Sequence, residues 1–355
     1  MLNNLTGLRF YAAIWVILYH SIIYVPELQC RLLDHGYIGV DLFFILSGFI
    51  LTFVYYTQFF QGEITGKKYW NFIVKRFAKI YPMHIISFII VAMMLYAGKY
   101  LFHQTELKLL PELIPSIILM IHSWGINDDY SWNAPSWSIS SEWFAYLFLF
   151  VPFAFIYKQS KKVFITIIIF LLLFFLYKWS HTKNFSLDDP GKLTNFGLER
   201  LFPEFILGML LGYYKLRLNL SKTTSTLIFA LSTTSFLILM FGNTGINLDA
   251  FCIIPLVGII FSLSYDTYLN RLFDNKIFIY LGNISFTIYI IQLIPFFILK
   301  KPFEWLDSQY GGYILALFKT LLIIGFNVSL AALFYKYYEE PSRKYLVKKL
   351  SIKEK

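Results

Sequence analysis

The stretch "LTGLRFYAAIWVILYHSIIYV", residues 5–25, is apolar over a length that can cross a bilayer, yet it holds Arg9 and His20. Either residue costs about 2.5 kcal/mol or more near the bilayer centre unless it finds partners or reaches an interface. Eleven residues separate them. At ~100° per residue that closes three turns with about 20° left over, so both side chains share one helix face. Along the axis they stand about 16 Å apart, roughly half of a hydrocarbon layer ~30 Å thick. One face of one helix therefore sets a permanent cation near one membrane surface and a titratable base deeper in.

The rest of the chain has the same character. Of its 355 residues 57% are hydrophobic and only 15% charged, against about 25% charged in soluble domains. Such a chain reads as a polytopic membrane protein. The net charge of +10 does not point to nucleic acid, because Lys and Arg gather in the cytoplasmic loops of membrane proteins. Cys30 and Cys252 form no CxxC pair, which argues against a disulfide framework or a thiolate metal site. No HExxH, P-loop or GxSxG motif is present, and no metal is expected. The first apolar segment lacks a small-residue cleavage site and reads as an uncleaved span.

Apolar runs of spanning length lie near 6–25, 37–57, 83–102, 138–157, 163–180, 198–214, 223–242, 250–266, 278–299 and 312–336. Lys336, Arg343, Lys344, Lys348, Lys349, Lys353 and Lys355 place the C-terminus in the cytoplasm. The basic stretch "GKKYWNFIVKRFAKIY" (66–81) is cytoplasmic by the same rule, and residue 137 must begin outside. Only one net crossing fits between them, so "LLPELIPSIILMIHSW", residues 109–124 with Pro111 and Pro115, should be re-entrant or interfacial. The expected fold is an all-α transmembrane bundle of about ten spans plus that segment, with both termini cytoplasmic. Residues 1–345 form one domain and 346–355 a basic tail.

On this topology His20, Asp41 and Glu142 come from three spans to a similar depth toward the outer face. A carboxylate on the second imidazole nitrogen would fix the His20 tautomer for general-base work. On the cytoplasmic side Arg76 and Lys79, at i and i+3, can join Arg9 to hold the phosphates of a charged cofactor. Plainer readings stand beside these. Taken singly, Arg9 reads more readily as a snorkelling anchor, and Arg76 and Lys79 as topology determinants.

The motifs themselves are similar to a known set. "LTGLRFYAAIWVILYHS", "GYIGVDLFFILSGFILT", "FIVKRFAKIYPMH", "NAPSWSISSEWFAYLF", "ERLFPEFILGMLLG", "LGNISFTIYIIQLIP" and "YYEEPSRKYL" occur in an order that resembles the acyltransferase-3 family of integral-membrane O-acyltransferases. The resemblance implies ten spans and transfer of acyl groups from cytoplasmic acyl-CoA to extracytoplasmic acceptors. It makes Arg9 and His20 the essential pair, and Asp41, Ser47 and Glu142 recurrent polar positions. Two departures matter: the family's RxxR appears as Arg76-x-x-Lys79, and Gln292 stands where many members have a late histidine. No appended esterase-like domain is expected.

The resulting expectation is a bacterial inner-membrane O-acetyltransferase of a surface polysaccharide such as lipopolysaccharide O-antigen, capsule or exopolysaccharide. Its donor would be acetyl-CoA and its acceptor a glycan or lipid-linked glycan. His20, Asp41 and Glu142 are the catalytic candidates; Arg9, Ser47, Arg76 and Lys79 would bind the donor. Trp132, Trp137 and Ser138, with Trp143 nearby, would meet the sugar, unless these tryptophans are an ordinary interface belt. A proton-coupled transporter or flippase of a lipid-linked sugar is the rival from another class.

Overall fold

The computed structural model describes residues 2–101, 103, 109–127, 132–162, 165, 193–241 and 249–352. Its elements are helical, and no strand occurs among the described residues. In a bilayer this is the economical answer to a backbone that must satisfy its own polar groups. The α-helices of six or more described residues are α1 (Asn3–Ser21), α2 (Gly39–Tyr55), α3 (Gly66–Tyr100), α4 (Trp137–Phe144), α5 (Phe150–Gln159), α6 (Leu193–Lys215), α7 (Lys222–Phe241), α8 (Asp249–Leu263), α9 (Lys276–Asn283), α10 (Ser285–Ile290), α11 (Leu293–Gln309), α12 (Tyr313–Phe334) and α13 (Glu340–Leu350). The helix α13 runs through the boundary expected at residue 345.

Among the described residues six helical stretches are long and apolar enough to cross a membrane: Asn3–Tyr24, Gly36–Gln61, Gly66–Tyr100, Ala134–Gln159, Lys222–Phe241 and Tyr313–Leu350. They cover six of the ten expected spans, and the chain is a multi-pass membrane protein. The other four differ for separate reasons. Apart from residue 165, the run 163–180 lies outside the described residues. The run 198–214 is one long helix, but Glu199, Arg200 and Glu204 interrupt its apolar surface. The run 250–266 forms a helix of 15 residues. The run 278–299 is divided among α9, α10 and α11 by breaks at Ile284 and Ile291.

The proline-bearing segment holds no helix long enough to cross a membrane. It is a 3₁₀ turn, Pro111–Leu113, followed by a helix of five residues, Ile114–Ile118, and a turn with Met120 at φ 55°. One side of it is covered by protein, with Ser116, Ile117 and Met120 buried, while Ile118 and Leu119 are exposed. His84 of α3 pairs with the Ile117 carbonyl, while Ser140 of α4 donates to the Met120 carbonyl and accepts from the Ser123 amide.

Two packing features place the site. First, α2 and α6 cross with their backbones in contact. A Cβ at Gly48 would strike the Phe205 carbonyl, one at Gly208 the Ile45 carbonyl, and one at Gly212 the Phe49 carbonyl. Small residues that admit close backbone approach are how helices associate where lipid offers no hydrophobic incentive. Second, the C-terminal segment is fastened to the start of α3. Trp70 donates to the Leu350 carbonyl, and Asn71 exchanges two hydrogen bonds with the backbone of Ile352. The two basic segments therefore lie at the same end of the molecule.

Candidate active site

A cavity of about 130 Å³ opens between α1, α2, α3, α4 and α10. Arg9, Ser47, Arg76, Lys79, Ser138 and Glu142 all line it, with Tyr146, Phe286 and Tyr289. Six of the residues singled out in the sequence thus meet in one place, although they were expected at two depths. His20 and Asp41 are not among the lining residues.

Glu142 is the residue whose position differs most from expectation. The chain entering α4 is already inside the protein: Asn133, Ser136 and Trp137 are buried before the helix gathers length. Glu142 lines the cavity with Arg9 rather than meeting His20. Charge links it to Arg9, which also feels Glu339 and Arg76. The helix then widens into one π-turn, Ala145–Leu149, a feature frequent at functional sites. Tyr146, at the start of that turn, donates its hydroxyl to Glu142 Oε1 and stands 3.3 Å from Ser47 Oγ. Ser138 and the Tyr289 hydroxyl are 2.8 Å apart, and Tyr289 donates to the Pro135 carbonyl.

The basic residues are held by aromatic rings and one carboxylate. The Arg76 guanidinium lies over the rings of Tyr55, Phe72 and Tyr146 and donates to the Tyr55 hydroxyl at 3.2 Å. Its Nε is buried without a hydrogen-bond partner. Lys79 donates to Glu339 at 2.5 Å, and the second Glu339 oxygen accepts from the Thr287 hydroxyl. Arg76 and Lys79 also line a second, open groove with Lys75, Arg343, Lys344, Val347 and Lys348. One row of cations thus leads from the protein's basic end into the cavity.

The remaining candidates lie elsewhere. His20 places Nδ1 2.9 Å from the Val16 carbonyl, which can only accept, so the neutral ring carries its lone pair on Nε2. The orienting group is this carbonyl and not Asp41. Both Asp41 oxygens are taken by Arg200, Oδ2 at 2.7 Å from Nη2 and Oδ1 at 3.1 Å from Nε. Asp41, Arg200 and the neighbouring Glu204 are 0%, 1% and 0% exposed, and their charges interact. A fork-shaped guanidinium gathers a buried carboxylate more effectively than a neutral imidazole.

Nor do Trp132 and Trp137 offer free faces to a sugar or form an interface belt. Trp132 packs on Phe88 and Tyr96 and gives its N–H to the Leu110 carbonyl. Trp137 lies edge-on to Phe44, with the Arg200 guanidinium 5.0 Å from its ring. Trp143 packs on Phe77.

Sequence reading passed over Tyr146, Tyr289, Glu339 and Arg200. Two of these had a signal: Tyr146 follows Glu142 at i+4, and Arg200 precedes Glu204 at i+4 in an otherwise apolar run.

With this geometry in view, comparison with known proteins is informative. The model of the family described as "Acyltransferase domain" (Acyl_transf_3) matches residues 2–336. A Staphylococcus aureus (strain COL) protein described as a candidate O-acetyltransferase is 23% identical over 98% of this chain and 58% of its own length. The peptidoglycan O-acetyltransferase OatA of Listeria monocytogenes is 25% identical over 96% of this chain and 56% of its own length. The acyltransferase MdmB of Streptomyces mycarofaciens is 32% identical over 46% of this chain and 41% of its own length. The chain thus spans little more than half of the first two relatives. No solved structure is significantly similar.

Proposed function

Because the chain belongs to this acyltransferase family, we propose that it is an O-acyltransferase moving an acyl group, most simply acetyl, from cytoplasmic acyl-CoA to a hydroxyl of an extracytoplasmic glycan such as O-antigen, capsule or exopolysaccharide. One observation carries the reading: Arg76 and Lys79 line both the open basic groove and the cavity. A donor with anionic phosphates at one end and a neutral reactive arm matches that succession of charged groove and largely apolar chamber. The buried, unpartnered Nε of Arg76 leaves a donor for such an anion. Ser47 and Arg9 would then border the arm.

In this scheme His20 Nε2 takes the proton of the acceptor hydroxyl. The oxygen attacks the thioester carbonyl, the C–S bond breaks, and the thiolate leaves to take a proton. Tethering at Val16 supports His20 as base, because Nε2 is the basic nitrogen. A second reading assigns the base to Glu142, which lines the cavity where His20 does not. Ser138, which lines the same cavity, is the remaining polar contact for the acceptor.

The orientation goes with the donor: α13 and the start of α3 face the cytoplasm of a bacterial inner membrane, and the turn at 124–127 faces outward. A cysteine at Asn127 should react with a membrane-impermeant maleimide in intact spheroplasts. Labelling only after the inner face is opened would reverse the topology. The activity itself is tested by mass spectrometry of surface glycans from cells with and without the gene. An acyl mass increment that depends on the gene is expected. Glycans of identical mass in both strains, together with gene-dependent export of a lipid-linked sugar, would favour a transporter instead.

A further inference from the structure

The cations that face α3 across the groove come from α13, the helix that follows the last long apolar stretch. Arg343, Lys344, Val347 and Lys348 fall at i, i+1, i+4 and i+5 of α13, one face of that helix. Lys75, Arg76 and Lys79 fall at i, i+1 and i+4 of α3. Two basic helix faces are thus turned toward each other. Arg343 is close enough to Lys79 for their charges to repel. Charges placed only to fix topology gain nothing from being brought face to face, and mutual repulsion destabilises the arrangement.

Compensation within the protein is partial. Glu339 answers Lys79, and Glu340 pairs with Lys344 at 2.8 Å. Lys75, Arg343 and Lys348 form no ion pair among the described residues. The face-to-face geometry is nevertheless enforced from both ends of α13. The bonds of Trp70 and Asn71 to the backbone of Leu350 and Ile352 hold its C-terminal end, and buried Glu339 anchors its start through Lys79 and Thr287. An enforced array of cations beside a cavity is an anion site in want of its anion.

We propose that α13 closes a phosphate clamp over α3: Arg343 and Lys348, with Lys75 and Arg76, bind the phosphates of the donor's nucleotide end, and the reactive arm passes Lys79 into the cavity. This rests on the acyl-CoA reading above and extends it, because it assigns donor discrimination to α13, which that reading does not use. The recognised chemistry is a cluster of phosphates. Anionic lipid headgroups carry the same chemistry, so the test must separate the two.

The test uses the full chain reconstituted in phosphatidylcholine nanodiscs, with acetyl-CoA and acetyl-pantetheine, which lacks the nucleotide, compared as donors. In Arg343→Ala/Lys348→Ala the preference of kcat/KM for acetyl-CoA over acetyl-pantetheine should shrink at least ~tenfold, carried by KM rather than kcat, as loss of charged hydrogen bonds implies. Binding of free coenzyme A, read by calorimetry, should weaken in parallel. Lys348→Ala alone removes one exposed charge and serves where the double variant accumulates poorly. If the double variant retains the full acetyl-CoA preference, the clamp is wrong. It is equally wrong if the variants lose only a dependence on added phosphatidylglycerol, which would assign the cations to lipid. Should the wild type use neither donor yet bind coenzyme A in a way that Arg343→Ala/Lys348→Ala weakens, the clamp stands and the transfer reaction falls.

Discussion

His20→Gln is expected to abolish acylation while the protein still inserts and accumulates, the loss being ~10²- to 10⁴-fold in rate for removal of a general base. Glutamine keeps bulk and hydrogen bonding but cannot take a proton, so it should be as inactive as alanine. The structure sharpens the comparison. Nδ1 is committed to the Val16 carbonyl at 2.9 Å, so the substitution removes the one basic nitrogen and leaves little else to lose. Arg9 probes the other end of the same helix face. Arg9→Lys keeps a cation in the cavity without the planar fork and should retain partial activity, whereas Arg9→Ala should be inactive. The measurement is acyl transfer per unit of membrane-inserted protein. Turnover by His20→Gln above about a tenth of wild type is too small a loss for a general base and would move that role to Glu142.

The second large effect is on stability. Arg200→Met removes the cation paired with buried Asp41 and felt by buried Glu204, and should cost about 3–5 kcal/mol, the range for breaking a buried ion pair on one side. Replacing Asp41 and Arg200 together by leucine should recover part of that loss, because no charge of the pair is left unmatched. Thermal unfolding in detergent, followed by size-exclusion of the heated sample, reads both. An Arg200→Met protein melting within about 2 °C of wild type, a shift that corresponds to ~1 kcal/mol or less, would show the pair to be dispensable. The distinction matters for function: an inactive Asp41 variant that has also lost its fold says nothing about chemistry.

Membrane character, the spans with uninterrupted apolar faces and the lack of a long helix in the proline-bearing segment were legible because each depends on local composition and length. The partition of polar residues among sites was not. Depth along a span can be counted only if the span starts at the membrane surface; α4 starts within the protein, and Glu142 lines the cavity with Arg9 rather than meeting His20. Partner choice is a matter of competition, and Asp41 had a stronger suitor in Arg200, which the sequence offers only through an i, i+4 pairing with Glu204. The groove is a tertiary product. Nothing local to "PSRKYLVKK" states that its cations face those of "VKRFAKI"; the Asn71 and Trp70 bonds, more than 270 residues apart in the chain, decide it.

The glycine crossing of α2 and α6 divides the cavity mechanically. The wall carrying Phe43, Ser47 and Leu51 belongs to a pair of helices with backbones in contact, where no side chain is free to yield. Another part of the lining carries Phe286 and Tyr289 on α10, six residues long and flanked by backbone breaks at Ile284 and Ile291. Stiffness of this kind is unequal by construction. Between these two walls α10 is the one expected to yield to a bulky guest, while α2 keeps Ser47 at a fixed station. Ligands of increasing size should therefore displace Phe286 and Tyr289 first and leave the glycine seam untouched.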